Sequence, residues 1–235
     1  MVPSAMPLIL EFLLGYVVFV FSTTCHEAAH ALVARRGGDD TAYSLGHVTL
    51  DPTPHIMRSP FGMIVVPLAT FYFNHYILGW ASVPYDPQWS ARHPLRAALM
   101  SLAGPFTNFL LSALGILSLR LLVEAGVFHL GGAGEQVGFV QLGEGLSVGS
   151  PLGALGYMLT ELFRMNLLLG IFNLVPLPPL DGAGVAEGLS PRTMGGLYAR
   201  LREIPASILL NWFVASWVFQ KVAPPVFFLA LRVLG

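Results

Sequence analysis

Phe12-Leu13-Leu14-Gly15-Tyr16-Val17-Val18-Phe19-Val20-Phe21-Ser22-Thr23-Thr24-Cys25-His26-Glu27-Ala28-Ala29-His30-Ala31-Leu32-Val33-Ala34 contains one carboxylate, Glu27, in an otherwise apolar run. A bilayer core asks for about 20 apolar residues in a helix. The run therefore reads as a membrane-spanning helix from about Pro7 to Ala34, closed by the cationic pair Arg35-Arg36 and the glycines Gly37-Gly38. Ionisable groups at that depth are costly, and they mark function. His26 and His30 are four apart, so both rings share one helix face, about 6 Å apart along the axis. Glu27 lies beside that face. This H-E-x-x-H spacing pairs two imidazole ligands for zinc with a carboxylate general base.

Composition places the whole chain in the membrane. It is 54% hydrophobic and 11% charged, with a mean hydropathy of +0.67, where a soluble domain carries about 25% charged residues. A net charge of -1 and the lack of a basic tract exclude nucleic acid as a partner. Cys25 is the single cysteine, so no disulfide forms within the chain. The first apolar run has no small-residue cleavage site and reads as a retained helix, not a signal peptide. The expected fold is an all-α polytopic membrane protein: about four to six transmembrane helices, a small β-hairpin and a re-entrant or broken segment. A single membrane-embedded domain over residues 1–235 is expected, with a core at about 7–190 and C-terminal helices at about 204–233.

Working outward from the first helix, residues 39–60 are polar and turn-rich, and alternation around Ala42 to Leu50 predicts a short β-hairpin. A strand edge there could add an extended peptide; a connecting loop is the plainer reading. Phe61 to Val83 is apolar, but it contains Pro67, Asn74 and His75 and has arginines on both flanks (Arg35, Arg36 and Arg58 before; Arg92 and Arg96 after). A single crossing cannot have both ends on the cationic side, so a re-entrant or broken segment is expected. Ala97–Leu122 and Leu155–Val175 read as further spans. Between Val123 and Pro151 there is no Lys or Arg and there are eight glycines, the mark of a flexible extracytoplasmic loop. Ile204–Phe219 reads as a last span. The arginines put the motif end of the first helix on the cytoplasmic side and the N-terminus outside.

A catalytic zinc site needs three protein ligands and an open position. Asp51, Asp86, Asp181, Glu187, His47, His55, His75, His93 and His129 are all candidates for the third. Asp181 stands out because Pro176, Pro178 and Pro179 stop the preceding helix, which should end level with His26 and His30. The backbone should run extended there, as a stiff arm beside a polar cavity. Among the other polar residues, Cys25 reads as a small packing residue and His55 as a turn histidine. Asn74 and His75 either line a water path or bond locally. Gly104 and Asn108 read as close-packing and polar glue between helices.

His26-Glu27-Ala28-Ala29-His30, Gly104-Pro105-Phe106-Thr107-Asn108, and Asn173 through Gly182 in the pattern N-x-x-P-x-x-x-L-D-G together resemble the site-2 protease family of intramembrane zinc metallopeptidases. The likeness covers about residues 12–190, and the segments at His47–His55 and Gly79–Pro84 look like linkers of the compact bacterial and archaeal branch. The chain departs from that pattern at Ser82 and Asp86, where Lys and Asn are common. The resemblance implies one zinc per chain held by His26, His30 and Asp181, with Glu27 as base and Asn173 holding substrate or oxyanion. It also implies a transmembrane protein as substrate, a multi-pass location in a bacterial or archaeal cell membrane with the site near the cytoplasmic face, and no PDZ or CBS module. Ser22, Thr23 and Thr24 are expected to help water reach the site. The alternatives are a catalytically silent relative that binds membrane segments, or a metal transporter.

Overall fold

The computed structural model describes residues 6–130, 136–142 and 147–203, and isolated positions from Trp217 onward. Three helices among these are long and apolar enough to cross a membrane: α1 (Leu8–Arg36), α6 (Pro94–Glu124) and α7 (Pro151–Asn173). At 1.5 Å per residue even α7 reaches about 35 Å, more than the ~30 Å hydrocarbon core. The predicted spans agree with these helices to within a few residues. The expected span Ile204–Phe219 and the rest of the C-terminal helices expected at about 204–233 fall outside the described residues except at those isolated positions.

α1 and α6 each turn a row of large apolar side chains outward. Along α1, Ile9, Leu13, Val17 and Phe21 are exposed at a spacing of four; along α6, Leu99, Leu102, Phe106, Leu110, Leu114, Leu117 and Leu121 are exposed. One inward stripe of α6 is instead small or polar: Ser101, Gly104, Asn108, Ser112 and Gly115. Lipid offers no hydrophobic reason for helices to associate, so close packing and interhelical hydrogen bonds hold such a bundle together. Gly115 shows the close approach. A Cβ there would come 2.7 Å from the Phe163 backbone nitrogen on α7. Ser112 Oγ also donates across that interface to Phe163 O at 3.0 Å. This is a membrane protein.

The connecting segments follow local rules. α1 ends at Gly37-Gly38, where Gly38 takes φ +97° and the Gly37 carbonyl accepts from Trp89 Nε1 and Arg96 Nη1, each at 3.0 Å. Pro87 opens α5 (Pro87–Arg92) behind Asp86, whose side chain accepts from Gln88 N; Asp86 is thus a helix cap. Ser150 caps α7 in the same way, through Gly153 N, ahead of Pro151.

Three expectations differ from the structure. Residues 42–50 form no β-hairpin. They contain α2 (Thr41–Ser44) and a turn through Gly46 at φ +78°, followed by α3 (Thr53–Arg58). The reason is local: Asp39 Oδ1 accepts from both Thr41 N and Thr41 Oγ1 and starts a helical turn where alternation alone suggested a strand. The strands lie in the glycine-rich segment instead, as an antiparallel sheet of order β1-β3-β2, with β1 Phe128–His129, β2 Gln136–Val137 and β3 Val140–Leu142. Phe128, Val140 and Leu142 bury against Ile116, Leu119 and Phe163, which anchors a stretch whose composition suggested only flexibility. The proline-rich stretch 174–180 is not an extended arm either. It is a chain of tight turns, with Val175 N bonded to Phe172 O and Leu180 N to Leu177 O.

The segment from Phe61 is broken, as its flanking charges predict. A π-helical turn, Phe61–Val65, runs into α4 (Val66–Asn74) and stops at His75, which sits in the left-handed region at φ +56°. Its 14 helical residues rise about 21 Å, too little to cross. The chain then folds back non-helically: Trp80 N donates to Gly62 O at 3.2 Å, and a Cβ at Gly79 would meet that same carbonyl at 2.3 Å. α8 (Asp181–Leu189) and α9 (Pro191–Glu203) complete the described fold.

Candidate metal centre

His26 and His30 lie on the inward face of α1, both buried, with ring centroids 4.6 Å apart. Asp181 is the first residue of α8, so the turns after α7 set its position. Its Oδ2 lies 3.1 Å from His26 Nε2 and 3.3 Å from His30 Nε2, and the two Nε2 atoms are 2.9 Å apart. Of the nine candidates for a third ligand, only Asp181 joins the two histidines in such a group among the described residues.

The donor set fits a metal ion. Two nitrogens and a carboxylate oxygen at those spacings match the ~3.3 Å separation that a tetrahedral ion with ~2.0–2.1 Å bonds imposes on its ligands. Asp181 Oδ2 is buried and accepts no hydrogen bond, an expensive condition for a carboxylate oxygen unless a cation meets it. Space is kept for the group by Gly104 on α6, where a Cβ would fall 2.4 Å from His30 Nε2 and 2.5 Å from His26 Nε2.

The far nitrogens of both rings are engaged as metal-binding histidines require. His30 Nδ1 lies 2.7 Å from the Met100 carbonyl and His26 Nδ1 lies 2.6 Å from Asn108 Oδ1. Glu27, the expected base, is buried on α1 next to His26. Asn173 is the last residue of α7 and half-buried; no hydrogen bond among the described residues joins it to His26, His30 or Asp181. Ser22, Thr23 and Thr24 are buried within α1, and Ser22 accepts from Asn166.

Sequence pattern does not single out two contributors to the site. Gly104 reads in sequence as a packing residue, yet it clears the point where His26, His30 and Asp181 meet. The signal for Asn166 is an amide inside an apolar run, which needs a polar partner facing it.

Outward-facing apolar helices around two imidazoles and a carboxylate define a membrane protein with an internal metal-ligand cluster. Peptidase family M50 matches residues 14–214. The chain is 35% identical over 176 residues to "Putative zinc metalloprotease YwhC" of Bacillus subtilis, covering 74% of this chain and 68% of that protein. It is 28% identical over 213 residues to Rip2 of Mycobacterium tuberculosis strain Erdman, named in the same terms, covering 86% and 71%. No solved structure matches it. The chain belongs to peptidase family M50, the site-2 protease family of metalloproteases.

Proposed function

We propose that the chain is an intramembrane zinc protease that hydrolyses peptide bonds within or near transmembrane segments of other membrane proteins. One observation carries the reading. His26 and His30 from α1 and Asp181 from α8 meet at one buried point inside a bundle whose outer faces suit lipid. In this reading the three side chains hold one zinc per chain, in a domain with its core at residues 7–190. Bound there, zinc supplies Lewis acidity for a water and for the scissile carbonyl. Glu27 takes the proton from the attacking water and returns it to the leaving amide nitrogen. Asn173 donates to the developing oxyanion. A transmembrane helix satisfies its own backbone, so the substrate segment must unwind locally before cleavage, and weak helix formers are favoured.

The arginines that flank α1, the broken segment and α8 support a multi-pass chain in a bacterial or archaeal cell membrane, with the site near the cytoplasmic face. The deciding experiment co-expresses the chain with a cleavable transmembrane reporter. Glu27→Gln should abolish cleavage, by 10²-fold or more, while zinc content stays at one per chain. Unchanged cleavage by that variant sinks the mechanism. Zinc flux into vesicles without cleavage would point to a transporter instead.

A further inference from the structure

The hydrogen bonds behind His26 have a direction, and it can be read from one end. Asn166 Nδ2 lies 2.8 Å from the Leu162 carbonyl and 2.8 Å from Ser22 Oγ. A carbonyl only accepts, so the Asn166 amide nitrogen must face it, and Asn166 Oδ1 must face the other way. There it accepts from Asn108 Nδ2 at 2.8 Å. With its nitrogen committed to Asn166, Asn108 presents Oδ1 to His26 Nδ1 at 2.6 Å. An amide oxygen also only accepts. His26 must therefore carry its proton on Nδ1, which leaves the Nε2 lone pair facing His30 and Asp181. Asn108 and Asn166 are both fully buried, so neither can turn to water to relax this order.

We infer that Asn108 is a positioning residue that fixes the metal-binding tautomer and ring orientation of His26, and that Asn166, held by Leu162 O and Ser22, fixes Asn108 in turn. The inference rests on the proposed metal centre. His30 is the internal comparison. The backbone carbonyl of Met100 does the same service there, so no side-chain change at Met100 can remove it. Ligand geometry thus depends on α6 for both histidines, and on α7 for His26 alone. Interhelical glue and tautomer control make opposite predictions for an aspartate at position 108. Its carboxylate still accepts from His26 Nδ1–H but can no longer donate to Asn166.

The test measures zinc affinity of the detergent-purified full chain by chelator competition, together with the electronic spectrum of the cobalt-substituted protein. Asn108→Leu should weaken zinc binding about 10–100-fold and change the cobalt spectrum, the usual scale for a lost outer-shell partner. Asn108→Asp should recover most of that loss, and Asn166→Leu should fall between. Ser112→Ala, which removes a different α6–α7 hydrogen bond, should leave affinity unchanged. The inference fails if Asn108→Leu binds zinc as tightly as the wild type, or if Asn108→Asp loses as much as Asn108→Leu. Should Asn108→Leu not fold, ¹⁵N shifts of His26 in the wild-type zinc protein decide: Nδ1 protonated and Nε2 metal-bound supports the inference, and the reverse overturns it. A wild-type chain that holds no zinc overturns this and the protease reading together. One that holds zinc with affinity indifferent to position 108 overturns this alone.

Discussion

At the scale of single residues, Gly104 makes the sharpest prediction. Replacing glycine by alanine inside a helix ordinarily stabilises it by up to about 1 kcal/mol. Here the added methyl would fall 2.4 Å from His30 Nε2, where the ligands converge. Gly104→Ala should therefore lose zinc, as metal analysis will show, and because the methyl overlaps the imidazoles themselves the chelator-treated variant should gain none of that helix stabilisation in thermal denaturation. Asp181→Ala should also lose the metal, because two imidazoles without the third donor leave the ion half-coordinated. Zinc retained at one per chain in that variant would rule Asp181 out.

At the scale of elements, the loops after α1 hang on Asp39. Its Oδ1 accepts from Thr41 N and Oγ1, and its Oδ2 accepts from Asp86 N at 2.8 Å. Three donors thus meet one buried carboxylate, tying the start of α2 to the cap of α5. Burial pushes the Asp39 carboxyl up, but these donors, Thr41 first, more than reverse it and leave it below its ordinary value. A carboxyl with a depressed folded pKa contributes stability above its unfolded value, about 3.9, and loses it as pH falls through the lower folded value. Asp39→Asn sets an amide N–H₂ against a backbone donor or surrenders one acceptor. It should cost about 1–3 kcal/mol at pH 7 in denaturant titrations. The gap from wild type should narrow as pH drops below about 4. A gap independent of pH would show that the carboxylate charge is not what matters.

At the scale of the whole molecule, the proposed ligands are far apart in sequence, on α1 and at the start of α8, so a bound ion clamps the two ends of the described bundle. Stripping zinc with a chelator should lower Tm. An ion present at 1,000 times its Kd stabilises by about 4 kcal/mol. Asp181→Ala should start at the lower Tm and ignore the chelator. Orientation can be checked in a Cys25→Ser background with single cysteines placed at 40–58 and at 126–149. Impermeant thiol reagents added to intact cells should label the second group and spare the first. The opposite pattern would invert the proposed topology.

Much of this was legible in the residues. Apolar length found α1, α6 and α7 because a bilayer imposes its thickness on any helix that crosses it. H-E-x-x-H gave two donors on one helix face because helical geometry alone brings residues four apart together. The charge pattern around Phe61–Val83 required a break in that segment, and His75 makes it. Local competition defeated the hairpin prediction at 42–50: the Asp39 side chain outbid alternation. The glycine-rich stretch drew its order from burial of Phe128, Val140 and Leu142 against α6 and α7, contacts no local pattern encodes.

By itself, then, the sequence determined a membrane protein with two histidines on one buried helix face and a glutamate beside it, since those features depend only on periodicity and on the cost of charge in lipid. The sequence singled out Asp181 among nine candidates; only the tertiary structure brings it to the histidines, and only there does Gly104 clear the meeting point. Only it revealed that Asn108 and Asn166 stand in line behind His26. Each of those relations joins residues dozens of positions apart, through packing of helices whose rotation about their axes the sequence leaves open.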